Sequence, residues 1–175
     1  LIRLVGNILN FSKIEEGKKV YRMEKTDLGL WLNQLIKNFN KENFENTASV
    51  QVQIAPDLPV ISMDKEAMTQ AIFNLLDNAV KFSLGNKEIE INAKKSGSRV
   101  VIKIKDKGIG IEKDESAKIF EKFYRGKRAV KNSIRGTGLG LTLVKYTVGA
   151  HGGTIKTGSE TGWNTVFTVS LPIFK

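Results

Sequence analysis

Asn74, Asn78 and Lys81, in the stretch NLLDNAVKFS, are spaced i, i+4 and i+7, so a helix would put all three on one face. Asparagine is an indifferent helix former, and two on one face could simply be solvated. An amide oxygen is also a hard ligand suited to Mg2+, an ion that takes few protein groups and completes its shell with water and substrate phosphates. A lysine one turn further on could neutralise those phosphates, or pair with Asp77 at i, i+4. A second group is DKGIGI, in which Asp106 follows an apolar alternating run. A carboxylate there can accept a hydrogen bond from an exocyclic amine, which separates adenine from guanine. Gly108 and Gly110 allow a turn with close backbone approach, although DxGxG also occurs as an ordinary turn. The third group is RGTGLGLTLVK, where Gly136, Gly138 and Gly140 alternate just before apolar residues at helical spacing. Bare backbone ahead of a helix suits a phosphate held by N–H groups at the helix N-terminus; a plain glycine turn is the alternative. No GxxxxGK[ST] loop occurs and GTGLG is not a GxGxxG fingerprint, so a nucleotide site here must be of another design.

The elements that must position these groups can be read from periodicity. Leu1, Leu4, Val5, Ile8 and Leu9 form one helical stripe, ended near Gly17. KVYRMEK alternates and predicts a strand. Thr26 or Asp27 can cap a helix whose apolar positions are Leu28, Trp31, Leu32, Leu35, Ile36 and Phe39. SVQVQIA and PVISM are short strands around Pro56 and Pro59. Asp64 caps a long helix with Met68, Ile72, Leu75, Leu76 and Ala79 inward. EIEINAKK and RVVIKIKD form a hairpin around SGS. EKDESAKIFEKFY predicts a short helix and an aromatic knot. LGLTLVKYTVGAHG is a third core helix, and GTIKTGS with WNTVFTVSLPI closes the chain as a hairpin. The order predicts an α+β, two-layer sandwich: a mixed, mostly antiparallel sheet of about five strands with three helices on one face. The connection from Ile111 to Gly136 is long, and long connections are often functional.

The chain has 175 residues, 41% apolar and 26% charged, enough for one domain with a real core. It lacks cysteine, which excludes a disulfide scaffold and fits a reducing compartment. It has no apolar run long enough to span a membrane and no signal-peptide pattern. It opens with Leu1 in mid-pattern, as a piece of a longer protein would. Its net charge is +10, and the stretch from Lys118 to Arg135 carries seven basic residues against one acid, Glu121. Such a balance suits nucleic acid, an anionic membrane or a polyphosphate ligand.

Taken in order, NLLDNAVKFS, DKGIGI, IFEKFYRG and GTGLGLTLVK…HGGTI resemble the N, G1, F and G2 boxes of sensor histidine kinases. These belong to the wider Bergerat-fold ATPases that include type II topoisomerases, ninety-kilodalton heat-shock proteins and mismatch-repair ATPases. The likeness covers roughly residues 19–175. NFSKIEEGK resembles the end of the dimerisation and phosphoacceptor helix that precedes the catalytic domain, which assigns residues 1–18 to that helix.

The resemblance implies ATP and Mg2+ as ligands. Asn78 would bind the metal, Asn74 would support metal or phosphate, and Lys81 would touch the phosphates. Phe82 would line the base pocket, Asp106 would take the adenine amino group, and Gly108 and Gly110 would shape that wall. Phe120, Phe123 and Tyr124 would anchor a mobile lid over the ATP. Gly136, Thr137, Gly138, Leu139 and Gly140 would form the triphosphate cradle. Arg125 would reach the γ-phosphate, a role that Lys127, Arg128 or Arg135 could also fill. The same likeness implies a cytoplasmic domain of an inner-membrane-anchored homodimer whose partners are its own dimerisation helices and the receiver domain of a response regulator, with no nucleic acid expected. The family's acceptor histidine is missing: His151, in AHGGTI, is the lone histidine and matches a structural position instead. A non-catalytic nucleotide-binding scaffold, a serine kinase or other ATPase of the wider family, and, on charge alone, a nucleic-acid-binding domain stay open.

Overall fold

A computed structural model describes residues 2–42, 49–83, 85 and 87–173. The chain forms α1 (Ile2–Glu15), β1 (Glu24–Asp27), α2 (Leu28–Glu42), β2 (Ser49–Ile54), β3 (Val60–Met63), α3 (Lys65–Phe82), β4 (Glu88–Ser96), β5 (Arg99–Asp106), α4 (Lys127–Lys131), α5 (Gly140–Ala150), β6 (Thr154–Glu160) and β7 (Trp163–Pro172). Five strands make the main sheet in the order β2-β4-β5-β7-β6, and β1 pairs with β3 separately. All pairs are antiparallel except β2–β4. That parallel pair requires a crossover, which β3 and α3 supply.

Alternation decides the sheet's two faces. Ile89, Ile91 and Ala93 of β4, Val100, Ile102 and Ile104 of β5, and Phe167, Val169 and Leu171 of β7 are buried on one face. The inward stripes of α2 and α3 complete this core: Leu28, Leu32, Leu35, Ile36 and Phe39 from α2; Met68, Ile72, Leu75, Leu76 and Ala79 from α3. The outer face is polar. Lys105 bridges Glu90 at 2.9 Å and Glu160 at 3.1 Å there. Asp27 caps α2 by accepting from Leu30 N–H at 2.9 Å, and Asp64 caps α3 by accepting from Ala67 N–H at 2.9 Å.

Three local expectations change. The strand read over Lys19–Lys25 starts only at Glu24 and runs to Asp27. The residues before it find no sheet to pair with. Arg22 N–H donates instead to the Asp64 carboxylate at 2.9 Å, and Val20 and Met23 stay exposed. The short helix read over EKDESAKIFEKFY is two 3-10 turns, Lys113–Glu115 and Lys118–Phe120, followed by the unforeseen α4. The aromatic knot is incomplete: Phe120 packs edge-on against Phe167, whereas Phe123 is 65% exposed and meets Phe11 of α1 with centroids 6.2 Å apart. On α1, Ile8 and Leu9 are exposed; the side chains of Leu1, Leu4 and Val5 lie outside the described residues. No helix among the described residues is long and apolar enough to cross a membrane.

Candidate functional site

The C-terminal half of α3, the end of β5, the connection after it and the start of α5 enclose a cleft of about 340 Å³. Each wall follows from the elements. The apolar stripe of α3 faces the sheet, so its opposite flank presents Asn74, Asn78 and Lys81 to the cleft, as their spacing predicts. Phe82, the last residue of α3, and Gly110 line the base, with Ile111 and Phe167 as apolar neighbours.

Asp106 is only 2% exposed and lies at the end of β5. It accepts from Gly108 N–H at 2.8 Å and from the Thr165 hydroxyl. Burial nevertheless dominates over these bonds and raises its carboxyl to about 6. This is a carboxylate held in a dry place with acceptor capacity to spare. Gly108 is the wall behind it and does not line the cleft. A Cβ there would lie 2.6 Å from the Phe82 carbonyl oxygen and 2.7 Å from Asp106 Oδ1, so only glycine lets the turn close.

The other end of the cleft is cationic. Although the Lys81 side chain reaches solvent, its amine is pushed below the ordinary lysine value by desolvation and by the nearby Arg125, with Asp77 opposing. Two cations lining one end of the cleft make a place for an anion. Gly136 faces Lys81, since a Cβ on it would sit 3.0 Å from Nζ. Arg125 lines the cleft while donating to the Ile134 carbonyl at 2.6 Å. Asn74 Nδ2 is buried without a hydrogen-bond partner in the protein. A buried donor left unmade is costly, and a ligand in the cleft would satisfy it.

The glycine-rich stretch leads into the N-terminus of α5. Gly136, Thr137, Gly138 and Gly140 line the cleft; Leu139 is buried in the protein instead. Gly138 adopts φ +72°, and a Cβ on it would lie 2.5 Å from the Phe123 backbone. Gly140 has open space around it, so no protein atom demands glycine there. Of the aromatic residues, Tyr124 lines the cleft and donates to Glu115 at 2.7 Å, whereas Phe120 is core and Phe123 points away from it toward α1.

Several lining residues had no signal of their own. Thr165 reaches Asp106 because β5 and β7 pair Asp106 with Thr165, a register invisible in the one-dimensional pattern. Glu115 lines the cleft from a connection whose path only tertiary contacts decide; Arg128, named from the sequence as an alternative to Arg125, lines it from the same connection. His151 is buried far from this chemistry in sequence and role. Its Nε2 accepts from Asp64 N–H at 2.9 Å and its Nδ1 faces the Thr147 carbonyl at 2.7 Å, which makes Nδ1 the protonated donor.

Among the described residues, no cluster of three or more acidic, histidine or cysteine side chains could hold a metal by itself. A hard cation in this cleft would therefore share an amide oxygen with ligand oxygens, which suits the asparagine pair and Mg2+.

The sensor protein kinase WalK of Staphylococcus saprophyticus is 34% identical over 174 residues, covering 98% of this chain and 28% of that protein. The sensor-like histidine kinase SenX3 of Mycolicibacterium smegmatis is 29% identical over 175 residues, covering 98% of this chain and 44% of that protein. The chain thus spans less than half the length of these relatives. The crystal structure of full-length ShkA in complex with AMPPNP matches with a TM-score of 0.81 and 26% identity, over 97% of this chain and 35% of that one. Histidine kinase ThkA, in complex with the response regulator protein TrrA, shares the fold at a TM-score of 0.76 and 19% identity, over 98% of this chain and 48% of that one. Residues 63–175 match the family model described as histidine kinase-, DNA gyrase B- and HSP90-like ATPase, which includes the four walls of the cleft. By that match, and by the cleft it encloses, the chain belongs to the family of histidine kinase-, DNA gyrase B- and HSP90-like ATPases.

Proposed function

We propose that this chain is the ATP-binding catalytic part of a sensor histidine kinase, binding ATP with Mg2+ and presenting the γ-phosphoryl group to a histidine outside residues 1–175. The observation that carries the reading is the polarity of one cleft: a buried carboxylate at one end, and Lys81, Arg125 and an unsatisfied Asn74 amide at the other. Asp106 accepts the adenine amino group between the apolar walls of Phe82 and Ile111. The backbone from Gly136 to Gly140 cradles the phosphates, Lys81 neutralises them, and Asn74 donates to them. Asn78 supplies an amide oxygen to Mg2+, which when bound adds charge neutralisation at the phosphates.

Transfer of a phosphoryl group depends on alignment and charge stabilisation more than on covalent help from the protein. The acceptor imidazole nitrogen forms the new P–N bond, the bond to the bridging oxygen breaks, and ADP leaves. The lid from Ile111 to Gly136 keeps water away from the γ-phosphate. His151 is not the acceptor in this reading, because both its ring nitrogens are engaged inside the fold. Residues 1–18 are the end of the dimerisation and phosphoacceptor helix and residues 19–175 the catalytic domain. Exposed Ile8 and Leu9 support that division, as an unmatched apolar face expects a partner helix. The parent protein is then a membrane-anchored homodimer whose cytoplasmic part passes phosphate to a response-regulator receiver domain. WalK and SenX3 by name, and ThkA by its complex, support this placement. The basic lid is no reason to expect nucleic acid, since Lys122, Arg125, Lys127 and Arg128 are engaged within the protein.

The test is calorimetric titration with a non-hydrolysable ATP analogue, with and without Mg2+. The expected result is binding strengthened by Mg2+, weakened in Asn78→Ala and Asp106→Ala, and absent for the GTP analogue. Failure of the unsubstituted chain to bind would favour a non-catalytic scaffold.

A further inference from the structure

We propose that Arg128 is a positioning residue that latches α4 onto the turn Asp106–Gly110 and so sets how long a nucleotide stays bound; the proposal rests on the nucleotide reading above. Arg128 Nη1 donates to the Ile109 carbonyl at 2.6 Å, and its Nε lies 3.6 Å from a Glu112 carboxylate oxygen. The turn is gripped from two other sides. Ile109 N–H donates to the Phe82 carbonyl at 3.1 Å, and Asn164 Nδ2 donates to the Gly108 carbonyl at 2.7 Å. The ends of α3 and β7 therefore hold the turn as part of a rigid wall, and Arg128 ties the lid to that wall. A Cβ at Gly110 would lie 3.1 Å from Arg128 Nη1, so the guanidinium occupies room that a side chain there would contest.

The tie matters because α4 places no side chain in the core. The helix spans five residues and buries none. A single turn of this length is not stable on its own. Its other side-chain ties are polar and run to the segment before it: Lys127 N–H donates to Glu115 at 2.8 Å, and Lys127 Nζ meets Asp114 at 2.9 Å and Glu112 at 3.5 Å, while Tyr124, ahead of the helix, donates to Glu115 at 2.7 Å. Those contacts shape the lid without fastening it across the cleft. Arg128 supplies the hydrogen bond between α4 and the turn that carries Asp106. An exposed ion pair with Glu112 adds little, whereas a charge-assisted bond to a carbonyl is stronger than a neutral one. Segments held by a few solvent-facing polar bonds are those that open first, and opening here uncovers the Asp106 end of the cleft.

Stopped-flow dissociation of a fluorescent ATP analogue would compare the unsubstituted chain with Arg128→Ala, Arg128→Lys and Lys131→Ala. Lys131 lies on the same helix with the same charge, and its side chain has no hydrogen-bond or ion-pair partner among the described residues. Arg128→Ala should raise the dissociation rate about tenfold, the loss of roughly one charge-assisted bond, while the association rate stays within about twofold. Arg128→Lys should retain part of the slow release, and Lys131→Ala all of it. In competition, Arg128→Ala should weaken adenosine and the non-hydrolysable ATP analogue by the same factor, because the latch closes over the base. An unchanged dissociation rate in Arg128→Ala would overturn the latch. So would a loss confined to ligands with phosphates, which would make Arg128 a phosphate contact. An unsubstituted chain that bound neither ligand would overturn the nucleotide reading itself, and the latch with it.

Discussion

Asp106 should make the empty domain less stable than it could be, and Asp106→Asn measures by how much. Its folded carboxyl is raised to about 6 from 3.8 by burial. The difference of about 2 pH units corresponds to about 3 kcal/mol at 1.36 kcal/mol per unit. The sign follows from proton counting. Between about pH 4 and pH 6 the folded state holds a proton on Asp106 that the unfolded state has lost, so stability falls as pH rises through that window. Above pH 6 the cost is fully present. Asparagine removes it while its Oδ1 still accepts from Gly108 N–H, as Asp106 does at 2.8 Å. Its amide nitrogen then faces Thr165, whose hydroxyl can turn to accept. After imperfect fit, a gain of about 1–3 kcal/mol at pH 7.5 is expected, shrinking toward zero at pH 4. Urea unfolding of both proteins at the two pH values reads the difference directly, since every other titrating group cancels. The same substitution should weaken adenosine binding at least tenfold, because an amide nitrogen replaces one of the two oxygens that can accept from the adenine amino group and the acceptor charge is lost. An Asp106→Asn protein less stable than the parent at pH 7.5, or a stability difference that does not change with pH, would refute the reasoning.

Adenosine carries no phosphate to titrate near neutrality, so its affinity should follow Asp106 ionisation alone: about tenfold weaker at pH 5 than at pH 7.5, with little change above pH 7, by isothermal titration. Gly138→Ala places a Cβ 2.5 Å from the Phe123 backbone at φ +72°, and should cost about 2–3 kcal/mol in chemical denaturation and abolish tight binding of the ATP analogue. His151→Ala leaves Asp64 N–H without its buried acceptor and opens a void, so about 3 kcal/mol of stability should be lost by the same method. Lys81→Met should weaken the ATP analogue at least tenfold and leave adenosine nearly unaffected, separating the two ends of the cleft in competition assays.

Much of the architecture was legible because it depends on local rules. The period-two runs of β4, β5 and β7 and the stripes of α2 and α3 are strong patterns whose burial admits one face each. Asp27 and Asp64 announced their helices as caps. The lid was not legible in the same way. EKDESAKIFEKFY has apolar residues at roughly helical spacing, yet only Ile119 and Phe120 are drawn into the core, and the segment settles into two 3-10 turns. KVYRMEK alternates as a strand should, but alternation says nothing about whether a neighbouring strand exists. Here the Asp64 carboxylate took the Arg22 N–H that a strand would have used.

For the site the division is similar. By itself the sequence determined the chemistry available: an asparagine pair and a lysine on one helical face, a carboxylate at a strand end, and bare backbone ahead of a helix. Residue types and short spacings suffice for that, because helix and strand periods are fixed by backbone geometry. That these three groups share one site was implied by the order of the four motifs; only the tertiary structure decided the shape of the cleft between them, that Thr165 stands across the sheet from Asp106, and that Phe123 turns toward α1 while Tyr124 turns inward. Those outcomes depend on strand register and on packing between residues distant along the chain, which no local pattern records. The raised Asp106 carboxyl is of the same kind: its cause is the dryness of a place that exists only once β5, β7 and α3 have closed around it.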